Sequence, residues 1–149
     1  MKSANTWILI ANGARARILE HKSAASGIKP MKGMEYSNET LSSSEIMADK
    51  PGRAFATTGN ARSAMQPRTD PVAKRELDFM RMVAEILNDA YSDKSFDRLV
   101  IFAAHKAMGD LRPALNEGVL KAIIAEIPKD LTKVPNDEIA KHLEDVMLV

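Results

Sequence analysis

From Lys50 to Thr69 the charged residues are Lys50, Arg53, Arg62 and Arg68, and no acidic residue lies among them. Gly52 and Gly59 sit between these cations. Arginine suits phosphate because its planar guanidinium can donate two parallel hydrogen bonds to one oxyanion. A stretch with unneutralised cations and glycines can follow a nucleic-acid backbone and become ordered on contact. The alternative is a solvated loop whose arginines serve only solubility.

A second candidate is His105, which follows an apolar run at Leu99–Ala104. If that run is a strand, His105 stands at its C-terminal end, where open α/β sheets take their ligands. The other histidines, His21 and His142, have no ligand spacing with it or with carboxylates, so no metal site is expected. The absence of cysteine excludes disulfides and thiolate metal centres. No Gly-x-Gly-x-x-Gly, Walker loop or nucleophile elbow occurs, and no cofactor is expected.

Positioning these residues requires a fold, and 149 residues suit a single domain over 1–149. With 45% hydrophobic and 28% charged residues, the composition is that of an ordinary globular protein, and the net charge of +1 names no partner. The apolar run Trp7–Ala11 is shorter than a secretory signal requires, and no stretch approaches a membrane span, so a cytoplasmic protein with no membrane contact is expected.

Thr6–Ala11 and Arg15–Glu20 read as strands, and Asn12-Gly13 between them is a hairpin signal resting on tolerance of positive φ. The first strand is apolar on both faces and should be central and covered. Residues 21–33 read as a loop, and a third strand is expected near Met34-Glu35-Tyr36, with Glu45–Asp49 extending or pairing with it. Residues 50–70 have no periodicity and read as a long mobile loop, and loops of that length in compact domains are usually either functional or disordered.

Asp70 can then cap a helix that has Pro71 in its first position and Val72, Met80, Val83, Leu87 and Tyr91 as its apolar stripe, ending near Tyr91-Ser92. Arg98–Ala104 reads as a buried parallel strand. Two short helical pieces interrupted by Pro113 follow, then a strand over Ala122–Ile127 and a final helix over Pro135–Val146. The expected class is α/β with a mixed sheet: hairpin and strand, long loop, then helix–strand–helix–strand–helix.

Several segments together resemble a known family. They are Trp7–Arg17, Asp49–Arg53, Ala64–Pro71, Phe96–Val100 and Ile127–Thr132. In order and spread they resemble the bacterial host attachment proteins, named for a proposed role in attaching bacteria to host cells. That family is similar in turn to the middle domain of archaeal and eukaryotic peptide-chain release factors, whose Gly-Gly-Gln loop precedes a long helix and reaches the peptidyl-transferase centre. The resemblance implies a ribosome- or tRNA-directed role for the loop, with Lys50, Arg53, Gly59, Arg62 and Arg68 on phosphates. It implies a peptidyl-tRNA hydrolase-like activity only if Asn60 or Gln66 can orient a water, because Gly59-Asn60-Ala61 stands where the glycine–glutamine motif would fall. RNA contact is therefore the leading expectation. The alternative is a non-catalytic regulatory protein that affects attachment through a protein partner.

Overall fold

The computed structural model describes residues 4–39 and 70–147. The loop candidates Lys50, Arg53, Gly59, Asn60, Arg62, Gln66 and Arg68, and the strand expected at Glu45–Asp49, lie outside the described residues.

The elements run β1 (Thr6–Ala11), β2 (Arg15–His21), β3 (Ile28–Ser37), α1 (Pro71–Ser92), β4 (Arg98–Ala103), α2 (His105–Leu111), α3 (Glu117–Ala122), β5 (Ile123–Ile127) and α4 (Asn136–Leu143). They form a mixed five-stranded sheet of order β3-β2-β1-β4-β5. β1 pairs antiparallel with β2 and parallel with β4, and β4 pairs parallel with β5. The α/β class with a hairpin first and parallel crossovers later is thus present.

Each of the six residues of β1 is buried, as its unbroken apolar run predicts for a strand covered on both sides. Trp7, Leu9 and Ala11 join Phe79, Met80, Val83 and Leu87 of α1 and residues of α2 and α3 in the larger core. Ile8 and Ile10 face the opposite way, with Val100, Phe102, Leu131 and Ile139 and Leu143 of α4, in the smaller one. Strand alternation therefore sorts one sequence run into two cores.

α1 begins as its sequence dictates. The Asp70 side chain accepts a hydrogen bond from Val72 N at 2.9 Å, and Pro71 occupies the first turn, where a missing N–H costs nothing. Val72 is 63% exposed, so the core-facing stripe starts further along at Phe79 and not at Val72 as expected. The helix ends at Ser92, as read.

Two local expectations need correction. β3 starts at Ile28, so part of the segment read as a loop is strand. Its Lys29, Pro30, Lys32 and Gly33 are poor strand formers, but among the described residues β3 is an edge strand, where they are tolerated, and Gly33 takes a positive φ of 80°. The Asn12-Gly13 turn does not use positive φ at either residue. Asn12 N donates to Arg15 O at 2.9 Å, and the Asn12 side chain accepts from Ala14 N and Arg15 N, each at 2.8 Å. The asparagine closes the turn with its amide oxygen.

Candidate functional site

The β1–β2 turn is the meeting point of one end of the molecule. It lies at the C-terminal end of β1, level with the C-terminal end of the parallel strand β4. Asn38, just after β3, donates from Nδ2 to Gly13 O at 2.9 Å and from its backbone N to Ala14 O at 2.9 Å. From the other side Glu76 of α1 lies over Gly13. A Cβ added to Gly13 would come within 2.7 Å of the Glu76 Cγ and Cδ atoms. Gly13 is thus favoured by the close approach of a flexible side chain and not by backbone angle.

Asn12 also reaches across the fold. Its Nδ2 donates to Asp130 Oδ2 at 3.0 Å and to Thr132 Oγ1 at 3.1 Å. The Thr132 hydroxyl donates to Asp130 Oδ1 at 2.6 Å, and Thr132 N donates to the same oxygen at 3.0 Å. Partial burial pushes the Asp130 carboxyl pKa upward, but the bonds from Thr132 and Asn12, with Lys133 nearby, outweigh it and hold the pKa below its ordinary value. Arg17 of β2 completes the arrangement: its guanidinium donates to Thr132 O at 3.0 Å and to Val134 O. Burial lowers the Arg17 pKa, and Glu35 across the β2–β3 ladder opposes that shift. Asn12 and Arg17 together hold segment 130–134 against the sheet.

Beside this clamp is a cleft of about 170 Å³ lined by Ile10, Arg15, Arg17, Glu35, Tyr36 and Thr132. Arg15 is exposed and, among the described residues, has no ion pair or hydrogen bond to its side chain. Two lysines on the α1–α2 surface differ from it, although Arg75 and Arg81 of α1 are, like Arg15, exposed and without an ion pair among the described residues. Lys74 pairs with Asp78 at 2.8 Å, and Lys106 with Asp110 at 2.9 Å and Glu76 at 3.6 Å.

His105 is the first residue of α2 and is exposed. It does stand at the C-terminal end of β4, as expected, but it does not line the cleft. Among the described residues no cluster of metal-ligating side chains occurs, and no helix is long and apolar enough to cross a membrane.

The family model described as "Protein required for attachment to host cells" matches residues 7–143. The chain belongs to that family. No curated protein matches it in sequence. Within this host attachment protein, the described segments that carried the resemblance meet in space. Trp7–Arg17 contacts Ile127–Thr132 through Asn12, Arg17, Asp130 and Thr132. It contacts Phe96–Val100 through the β1–β4 ladder and the Trp7–Phe96 ring pair, with centroids 4.8 Å apart. Reading the sequence alone missed Asn12, Asp130 and Arg17 as one group, because Asn12 and Asp130 are 118 positions apart. The one local signal was Asp130-x-Thr132, a spacing that favours a side-chain-closed turn.

Proposed function

We propose that this host attachment protein is a ribosome- or tRNA-directed factor that contacts RNA phosphates through the basic stretch from Lys50 to Arg68. Arg53, Arg62 and Arg68 supply the main contacts, Lys50 adds charge, and Gly59 supplies backbone freedom. The observation that carries this reading is where that stretch is tethered. Asn38, two residues before it leaves the described body, and Glu76, six residues after Asp70, both pack on the Gly13 turn. The described residues on either side of the stretch therefore stand at the end of the sheet where open α/β folds take ligands. Lys74 and Lys106 nearby are already paired with carboxylates, so the stretch's own cations add to what little free positive charge the neighbouring surface offers.

The test is co-sedimentation with ribosomes over a salt series, comparing the natural protein with the Arg53→Ala, Arg62→Ala, Arg68→Ala triple variant. Binding should weaken with salt, and the variant should lose about two to three units of the log–log salt slope. Lys74→Ala should bind like the natural protein. If binding is present, a peptidyl-tRNA hydrolysis assay with Asn60→Ala and Gln66→Ala separates contact alone from ester hydrolysis. Absence of binding at low salt rejects the translation reading and turns the search to a protein partner.

A further inference from the structure

We propose that the cleft between the β2–β3 edge and segment 130–134 binds a phosphate group, with Arg15 as its direct partner and Arg17 setting the field behind it. The two arginines are two positions apart on β2, so alternation puts both on the face that carries Ile10 and Leu19. Their roles differ. Arg17 is tied to the carbonyls of Thr132 and Val134, and its Nε is buried without a hydrogen-bond partner among the described residues. Its position is set by the fold, and among the described residues the charge that opposes its own is Glu35 across the ladder. Among the described residues Arg15 has no such tie, and its exposed guanidinium fork has no partner there.

The neighbouring carboxylate of Asp130 keeps its charge but is not part of the cleft lining, and its oxygens accept from Asn12 and from both the hydroxyl and the backbone N–H of Thr132. The cleft lining therefore carries two cations against one anion, Glu35. A fixed cation behind a free, planar donor favours a compact oxyanion over an extended apolar ligand. At about 170 Å³ the space admits one phosphate with water and excludes a folded nucleic acid helix. The group could be free phosphate or the phosphate of a nucleotide, and both present the same oxygens to Arg15.

Titration of the isotopically labelled full chain with inorganic phosphate, and separately with a ribonucleoside 5′-monophosphate, tests this at constant ionic strength against chloride. Saturable amide shifts at residues 15–17, 35–36 and 132 are expected. Arg15→Ala, at an exposed position, should weaken binding about tenfold. Glu35→Gln should tighten it by about twofold, because one opposing charge is removed. Lys22→Ala, past the far end of β2, should change nothing. A nucleotide that binds more tightly than inorganic phosphate supports a ligand extending out of the cleft, and equal affinities support phosphate alone. Shifts no different from those with chloride, or unchanged binding by Arg15→Ala, overturn the proposal. The proposal is independent of the RNA reading: the Arg53, Arg62, Arg68 triple alanine variant should keep phosphate binding whether or not it binds ribosomes.

Discussion

The two ends of β1 each carry an asparagine at the centre of a polar network, and the networks differ in what they leave over. At the start, Asn5 N donates to Asp97 Oδ2 at 2.8 Å, while Asn5 Nδ2 donates to Ser95 O at 2.8 Å and Glu20 Oε2 at 3.0 Å. The Asn5 carbonyl accepts from Asp97 N and Arg98 N. Arg98 Nε donates to Thr6 Oγ1 at 3.1 Å, so the cation at this end is used locally. At the other end Asn12 binds segment 130–132 just as firmly, but Arg15 beside it has no partner among the described residues. The first network staples neighbouring strands, and the second does so while keeping a free cation beside a cleft. Polar density alone does not mark a site; an unused donor in a cavity does.

Arg17→Ala should break the second network most severely. It strips donors from Thr132 O and Val134 O and removes the stem packed between β2 and segment 130–134. Hydrogen bonds from a charged donor are worth about 1.5–3 kcal/mol, so a loss of about 3 kcal/mol in urea unfolding is expected. Amide exchange should rise first in residues 130–134. If exchange rises uniformly instead, the segment is not held by Arg17.

Asn5→Ala and Asn12→Ala should each cost about 2 kcal/mol, because each removes several bonds from partly buried groups. Their consequences should diverge. Asn12→Ala frees the Asp130 carboxylate beside the cleft and should weaken phosphate binding about threefold, whereas Asn5→Ala should leave it unchanged. Equal effects of the two variants on binding would erase the functional distinction between the ends.

How far these ends could be read in advance follows from range. Strands β1, β2 and β4 and the Asp70-capped helix were legible because alternation, apolar runs and caps are local signals. The start of β3 was not, since Lys29, Pro30 and Gly33 suit an edge strand whose pairing with β2 is decided by tertiary register. Gly13 was legible as the turn's glycine but for the wrong cause, because it has no positive φ and what crowds it is the Glu76 side chain. The cleft was not legible: Arg15 and Arg17 look like ordinary alternating strand residues until segment 130–134 is laid beside them, while the cations of the 50–70 stretch, which stand out in the sequence, lie outside the described residues.

The first end carries its own pH response. His21 is only 4% exposed, and among the described residues neither ring nitrogen has a hydrogen-bond partner. Burial, then the Arg98 charge, pushes its pKa below the ordinary value of 6.5. As pH falls below that value the unfolded chain takes up a proton that the folded chain refuses. The His21 contribution to stability is therefore intact above about pH 6.5 and lost progressively below it. Urea midpoints measured from pH 7.5 to 5 should fall, with a slope of at most about 1.4 kcal/mol per pH unit for one proton. His21→Leu should flatten that slope. The Asp130 contribution has the opposite origin, a carboxylate with lowered pKa, and is lost only at more acidic pH, as the carboxyl protonates.

The smallest effect expected is at the turn itself. Gly13→Ala puts a methyl group within 2.7 Å of Glu76 Cγ and Cδ, but Glu76 is a flexible side chain that can swing away. The backbone there needs no positive φ, so no conformational strain is added. The cost is then that of displacing one side chain and its 3.6 Å contact with Lys106, about 0.5–1 kcal/mol. A double-mutant cycle isolates it: Gly13→Ala made in the Glu76→Ala background should be neutral or slightly stabilising, because the obstructing atoms are gone and alanine restricts the unfolded chain. A cost that persists without Glu76 would mean that the turn requires glycine for its backbone after all. The second end would then be built on a strained turn, and the close approach of α1 would be a consequence of the turn and not the reason for its glycine.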